Sequence, residues 1–353
     1  MNMEGLRPAI ARLIDKAGLS GDFNLHPLAG GTNNRVFRVE VSGRYALLKV
    51  YFQHPQDHRD RLSAEYAFTG FAWENGLRCL PQPLACDHDN QFGLYEFVMG
   101  RQLLPHEITK EVVGEALNFF TELNRYQQHA GAGALPTASE ACFTIAGHLE
   151  CVQQRLDNLM NIDTSSEINR EAFNFISNNL LKSWAETAAS LRKQALELCI
   201  LDAEITPKDR CLSPSDFGFH NAILARDGRL RFIDFEYAGW DDPAKMVCDF
   251  FCQPAVPVPP QYFNFFVDGV ILQQVNPQSL LRRISLLMPV YRLKWCCIIL
   301  NDFLPVGNER RNYALNASGQ ETRKRNQLIK AHACLTNFAL NTIMSTSHQA
   351  KEL

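Results

Sequence analysis

No stretch of eighteen or more consecutive apolar residues occurs in the 353-residue chain, so no membrane-spanning helix is expected. The first residues, 1–19, lack the apolar core of a secretory signal. They mix charge into an amphipathic pattern and read as a first helix. A basic excess is also missing. The formal net charge is −3, which argues against a dedicated nucleic-acid binder. No CxxC pair or Cys/His cluster has zinc-ligand spacing. The eleven cysteines are an odd number, and Cys248, Cys252, Cys296 and Cys297 sit in apolar runs. That placement suits buried thiols in a reducing compartment rather than a disulfide framework. Internal repeats and low-complexity tracts are absent. What remains is a globular chain expected in the cytoplasm, with no membrane or nucleic-acid partner. Its 46% hydrophobic and 21% charged residues are ordinary for that class, and its length suggests two lobes.

The most informative stretch is 212–240, LSPSDFGFHNAILARDGRLRFIDFEYAGW. Asp216 is followed five residues later by Asn221. A short apolar run then meets an Asp227-Gly228 turn signal and a second alternating run, a tight hairpin pattern. The second strand delivers Asp234, eighteen residues after Asp216. Phosphoryl transfer needs an oxygen base near the attacking hydroxyl and hard oxygen ligands for Mg²⁺. In that chemistry Asp216 accepts or orients the hydroxyl proton, and Asn221 and Asp234 hold the metal. The same residues also read as an Asx-rich surface hairpin, since Asp and Asn cap turns.

The stretch resembles the catalytic and metal-binding loops of the aminoglycoside phosphotransferase and choline kinase-like family, relatives of the protein kinases. That pattern is roughly H-G-D-x-H-x-x-N, a hairpin, then I-D-[FW]-E. Here Pro214 and Ser215 replace the His-Gly, and Gly218 stands where a second His is common. The resemblance implies an α+β, two-lobed protein-kinase-like fold: a small antiparallel-sheet N-lobe over 1–99, and a mostly helical C-lobe over 100–353. It also implies ATP or GTP as phosphate donor, Mg²⁺, and a small-molecule acceptor.

Other segments fall in kinase order. Gly30-Gly31-Thr32-Asn33-Asn34 is a turn feeding a period-2 strand over 36–41. By resemblance it is a phosphate-approaching loop; by itself it is only a turn. Lys49 sits inside an otherwise apolar strand, 45–51, where an ammonium is costly without a partner. The kinase pattern pairs it with nucleotide phosphates and with Glu65 on the next helix, 59–75. The other reading is an edge lysine facing water. His54 and His58 read as part of a solvated loop. The run 92–100 ends the sheet as a hinge, where the resemblance puts backbone groups from Glu96 to Val98 against an adenine edge.

Helical patterns follow at 107–126, 141–159 and 170–201, then at 260–274 and 279–304. Asp242 and Pro243 mark a helix start. Asp249 is expected either to prop the catalytic loop or to face solvent. By analogy the C-lobe supplies the acceptor pocket, with Trp240, Tyr291, Trp295 and Asp302 as candidates; aromatics at helical spacing equally read as core. Two other functions stay open. One is a pseudokinase binding nucleotide or a partner, supported by the altered positions 214, 215 and 218. The other is a nucleotidyl transferase using the same site. Acceptor identity, ATP against GTP and oligomeric state are not legible.

Overall fold

The computed structural model describes residues 3–28, 33–315 and 319–349. Its N-terminal region is organised by a hairpin. Strands β2 (Arg35–Val41) and β3 (Arg44–Val50) pair in register from Arg35↔Val50 to Val41↔Arg44. The two connecting residues, Ser42 and Gly43, both have positive φ, 48° and 75°. That backbone twist matches the strands it joins. Strands β1 (Phe23–Pro27), β4 (Pro83–Asp87) and β5 (Phe92–Glu96) complete an antiparallel sheet in the order β1-β2-β3-β5-β4. Successive side chains alternate faces. Phe37, Val39, Val41, Ala46 and Leu48 pack with Ile10, Leu13 and Ile14 of α1 (Met3–Lys16) into one core. The opposite face of β3 carries Lys49.

The second core is larger and helical. It gathers α2 (Arg61–Glu74), α3 (Lys110–Asn124), α4 (Ile145–Leu159), α5 (Glu167–Phe175), α6 (Leu181–Glu197), α7 (Pro243–Cys252), α8 (Phe263–Ile271) and α9 (Pro277–Ile299). Helices α10 (Pro305–Leu315) and α11 (Gln320–Gln349) end the described chain. The segment Pro277–Phe303 is long and apolar enough by composition to cross a membrane. Four basic residues, Arg282, Arg283, Arg292 and Lys294, interrupt it, which is why no unbroken apolar run appears in sequence. It packs against α4, α7 and α11, as a core helix.

Three short pairings carry the loops of interest. β6 (Gly100–Gln102), β8 (Ala222–Ala225) and β9 (Leu230–Phe232) form one sheet, and β7 (Cys211–Ser213) pairs with β10 (Gly239–Asp241). The hairpin between β8 and β9 turns through Gly228, φ 77°. Asp242 caps α7, accepting from Ala244 N at 2.8 Å, with Pro243 in the first turn. One helix differs from its pattern. The span 170–201 is α5, a π turn at Ile176–Leu180, then α6. The inserted residue shifts the apolar stripe without ending the helix. All eleven cysteines are free thiols.

Candidate active site

Lys49 Nζ lies 2.6 Å from Glu65 Oε2 on α2 and 2.6 Å from Asp234 Oδ1 beyond β9. It is 6% exposed, so its charge is viable only with these counter-ions. Burial alone would lower its pKa; the carboxylates of Asp234 and Glu65 reverse that and hold it well above its ordinary value. Glu65 is in turn fixed by the Tyr51 hydroxyl at 2.7 Å, which meets the Tyr95 hydroxyl at 2.8 Å. Tyr51 and Tyr95 left no signal in the sequence beyond strand-compatible aromatics.

Asp234 has φ 69°, a left-handed backbone that a non-glycine residue adopts at a cost. Just upstream, Ile233 N donates to Asn221 O at 2.9 Å, tying the end of the hairpin to the loop before it. Burial raises the Asp234 pKa, and the nearby charges of Glu65 and Asp216 add to that against the pull of Lys49.

Asp216 stands in the turn between β7 and β8. Its neighbour Ser215 also has positive φ, 65°, and donates its N–H to Ser213 Oγ at 3.0 Å. Asn221 Nδ2 donates to the Asp216 carbonyl at 3.0 Å and closes the loop. His220 Nε2 lies 3.3 Å from Asp216 Oδ1. Burial pushes the Asp216 carboxyl up, but the His220 imidazolium and the hydrogen bonds outweigh it, and the pKa is lowered. The reciprocal shift is seen on His220: burial opposes charge, Asp216 favours it, and the pKa rises. An imidazole therefore accompanies Asp216 although positions 214 and 218 lack histidine. Its signal was the four-residue spacing from Asp216, a place the family pattern does not mark.

The loop ahead of β2 reaches the same centre. Gly30, Gly31 and Thr32 lie outside the described residues. Asn33 Nδ2 donates to Glu236 Oε1 at 2.7 Å and Asn34 Nδ2 to Glu236 Oε2 at 2.6 Å. Asn34 Oδ1 accepts from Phe52 N at 3.1 Å. Both amides thus clamp Glu236, two residues past Asp234 and the final acid of the I-D-[FW]-E pattern. At the hinge, Glu96 N already donates to Gln82 O at 2.8 Å, leaving that N–H no role toward a ligand. Val98 lines a cleft of about 590 Å³ with Arg38, Tyr45, Met99 and Leu224. Lys49, Asp216 and Asp234 do not line it.

Beneath Asp216 runs a buried charge network. Lys245 Nζ bonds Asp241 Oδ2 at 2.5 Å and Ser215 Oγ at 3.2 Å, and lies 3.6 Å from Asp249. Lys294 lies 3.5 Å from Asp249 and 3.6 Å from Glu140. Asp249 is buried, not solvent-facing, and reaches the catalytic turn through Lys245. The acceptor candidates are placed differently from expectation. Trp295 Nε1 donates to Asp249 Oδ1 at 3.0 Å, and the buried Tyr291 hydroxyl meets His148 Nδ1 at 2.8 Å. Trp240 Nε1 donates to Ala132 O at 2.9 Å. Asp302 is buried between Arg311 and Arg323, 3.1 Å from each Nε, so its charge is neutralised within the fold.

A hard cation fits the donors present. The Asp234 carboxylate and the Asn221 amide oxygen are hard oxygen donors, and burial, with the charges of Glu65 and Asp216 beside it, disfavours an ionised Asp234 in a way that a divalent cation would relieve. Among the described residues no trio of His, Cys, Asp or Glu side chains forms a metal site alone. Further ligands would come from phosphate oxygens and water.

Comparison with known proteins agrees with this fold. The spectinomycin phosphotransferase APH(9)-Ia, solved with ADP and spectinomycin, superposes with a TM-score of 0.62 at 10% identity, covering 94% of this chain and 98% of its own. Choline kinase from Cryptosporidium parvum gives 0.57 at 13% identity, covering 93% and 97%. A choline/ethanolamine kinase family protein from Mesorhizobium loti gives 0.57 at 16%, covering 95% of each chain. These likenesses establish the two-part kinase-like fold. No curated protein matches in sequence. The model of the phosphotransferase enzyme family, APH, matches residues 24–255, and the chain belongs to that family of phosphotransferases acting on alcohol groups.

Proposed function

We propose that this phosphotransferase is a small-molecule kinase that moves the γ-phosphoryl group of ATP or GTP, with Mg²⁺, to a hydroxyl of a metabolite. The observation that carries the reading is Lys49 bonded at 2.6 Å to both Glu65 and Asp234. That contact joins the sheet that would hold nucleotide to the hairpin that follows Asp216. Related folds have been solved with ADP or AMP, which supports a nucleotide donor.

In this reading Lys49 meets the phosphates, and Glu65, held by Tyr51, keeps Lys49 aimed. The Glu96 carbonyl and the Val98 backbone are the groups offered to the base. Gly30, Gly31 and Thr32 would serve the phosphates, and Asn33 and Asn34, which follow them in sequence, bond Glu236. Asp216 orients the acceptor hydroxyl and receives its proton; the lowered pKa keeps it ionised at neutral pH. Asn221 closes the loop and, with Asp234, would hold Mg²⁺, which supplies charge neutralisation at the phosphates when bound. The chain does its work in a reducing compartment, in keeping with its free thiols.

The test is Mg²⁺-dependent transfer from ATP and GTP to a panel of hydroxylated metabolites, with the product weighed. A gain of one phosphate supports the kinase. A gain of AMP assigns nucleotidyl transfer, and nucleotide binding without any product assigns a pseudokinase.

A further inference from the structure

Three guanidinium groups converge on one phenol. Tyr237 directly follows Glu236, and its hydroxyl lies 3.5 Å from Arg310 Nη1 and 3.3 Å from Asn33 Nδ2. Arg59 stands over its ring at 5.3 Å from the centroid, and Arg61 at 5.9 Å. Two of these cations have counter-ions. Arg59 bonds both oxygens of Asp57, at 2.6 and 2.7 Å. Arg61 bonds Asp57 as well and lies 3.8 Å from Glu236.

Arg310 is different. It is only 9% exposed, yet among the described residues it has no carboxylate within ion-pair distance. Among the described residues its Nε has no hydrogen-bond partner, and its one hydrogen bond is the long one to Tyr237. A buried guanidinium without an anion is costly to the fold, and such groups persist where a ligand completes them. The helix that carries it bridges the two parts of the molecule. On α10, Glu309 meets His54 at 3.2 Å and the Tyr313 ring lies 5.4 Å from Phe52. Arg310 is thereby delivered to the end of the 234–237 segment.

This point belongs to the Asp216 side of the site. Tyr237 O accepts from Ser139 N at 2.9 Å; the next residue, Glu140, meets Lys294 at 3.6 Å; Lys294 meets Asp249 at 3.5 Å, and Asp249 shares Lys245 with Ser215, the residue before Asp216. A cationic acceptor would face these guanidinium groups, and the Tyr237 ring already has Arg59 over it instead of an open face for an ammonium. We propose that Arg310, with Arg59 beside it, is an anion-binding subsite for the acceptor, and that the acceptor is an alcohol bearing a carboxylate or phosphate group. The inference rests on the kinase reading above and names its substrate class. A charge-assisted hydrogen bond to such an anion is what the unpaired Arg310 guanidinium offers.

Inorganic phosphate is the probe. It is titrated by calorimetry into protein saturated with Mg²⁺ and the β,γ-imido analogue of ATP, which fills the γ-phosphate position. Wild type should bind phosphate in that state. Arg310→Gln should weaken binding roughly tenfold to a hundredfold, with Arg310→Lys recovering part of it. The melting temperature of Arg310→Gln should equal or exceed wild type, because an unpaired buried charge is removed. Phosphate that binds the ADP-loaded protein but not the analogue-loaded one overturns the proposal and makes Arg310 a γ-phosphate contact. Binding indifferent to Arg310→Gln, or absent from wild type, overturns it as well. Transfer assays on glycerate against glycerol, and glucose 6-phosphate against glucose, read the kinase separately. Preference for the anionic members supports the proposal, and equal kcat/KM for the neutral members overturns the acceptor class alone. Phosphate binding with no transfer to any member overturns the kinase reading and leaves the anion site.

Discussion

At the scale of single residues, the site is a contest between burial and pairing. Asp216 is part-buried, which favours the protonated carboxyl, and His220 at 3.3 Å turns the balance toward the ionised form. The same contact raises the His220 pKa. Replacing His220 with Gln removes that positive charge, so the acid limb of the pH–rate profile should move to higher pH. An acid limb that stays in place would show that another group sets the ionisation of Asp216. The grouping of Asp216, Asn221 and Asp234 was legible in sequence because it depends on residue type at short, fixed spacing. The Glu65 contact with Lys49 was legible as well, since a lysine in an apolar strand demands an anion nearby. The clamp on Glu236 was not. Asn33 and Asn34 meet it across 203 and 202 residues of chain, and nothing local in any of the three marks the partnership.

At the scale of elements, the start of α7 shows how one side chain serves several neighbours. Asp242 accepts from Ala244 N, from His148 Nε2 at 3.1 Å and from Arg283 Nε at 3.0 Å. Burial pushes His148 toward the neutral form, so its Nε2–H donates to Asp242 while Nδ1 accepts from Tyr291. For Asp242 burial works against ionisation, but the His148 bond and the Arg283 guanidinium prevail and lower its pKa from 3.8 to about 2. Asp242→Ala leaves Arg283 buried and unpaired, and should cost about 3–5 kcal/mol in chemical denaturation. Because the folded pKa is depressed, the contribution of Asp242 is present in full above its unfolded value and is lost as pH falls toward 2. The shift is worth about 2 kcal/mol. The difference in melting temperature between wild type and Asp242→Asn should therefore shrink from pH 7 to pH 3; a constant difference would mean that the pair does not titrate with folding. Strand and cap signals located these elements well, as Pro243 after Asp242 illustrates. The π turn inside 176–180 escaped because an inserted residue leaves hydrophobicity and length unchanged. The pairing of Asp302 left no sequence signal for a related reason: its arginine partners lie on α10 and α11, beyond any local pattern.

At the scale of the whole molecule, two hydrophobic cores are joined by the polar contacts at Lys49, Glu236 and α10. The fold class was legible from the order of landmarks along the chain, since each lies on the element type that a kinase-like arrangement requires. How α10 packs against the sheet was not, because that contact depends on surface shape rather than pattern. A ligand that spans the junction stabilises the folded state by mass action. Saturating Mg²⁺ and nucleotide should raise the melting temperature by a few degrees, about 2.7 kcal/mol at a hundred times Kd. The Mg²⁺-dependent part should vanish in Asp234→Asn, and its persistence there would remove Asp234 from the metal site.

The most direct measurement of the central claim compares wild type with Asp216→Asn in Mg²⁺-dependent phosphoryl transfer, with nucleotide affinity measured in parallel. The account predicts a fall in kcat of about 10²–10⁴-fold with nucleotide Kd nearly unchanged. Equal turnover in the two proteins would contradict it and leave the phosphoryl transfer without Asp216 as its base.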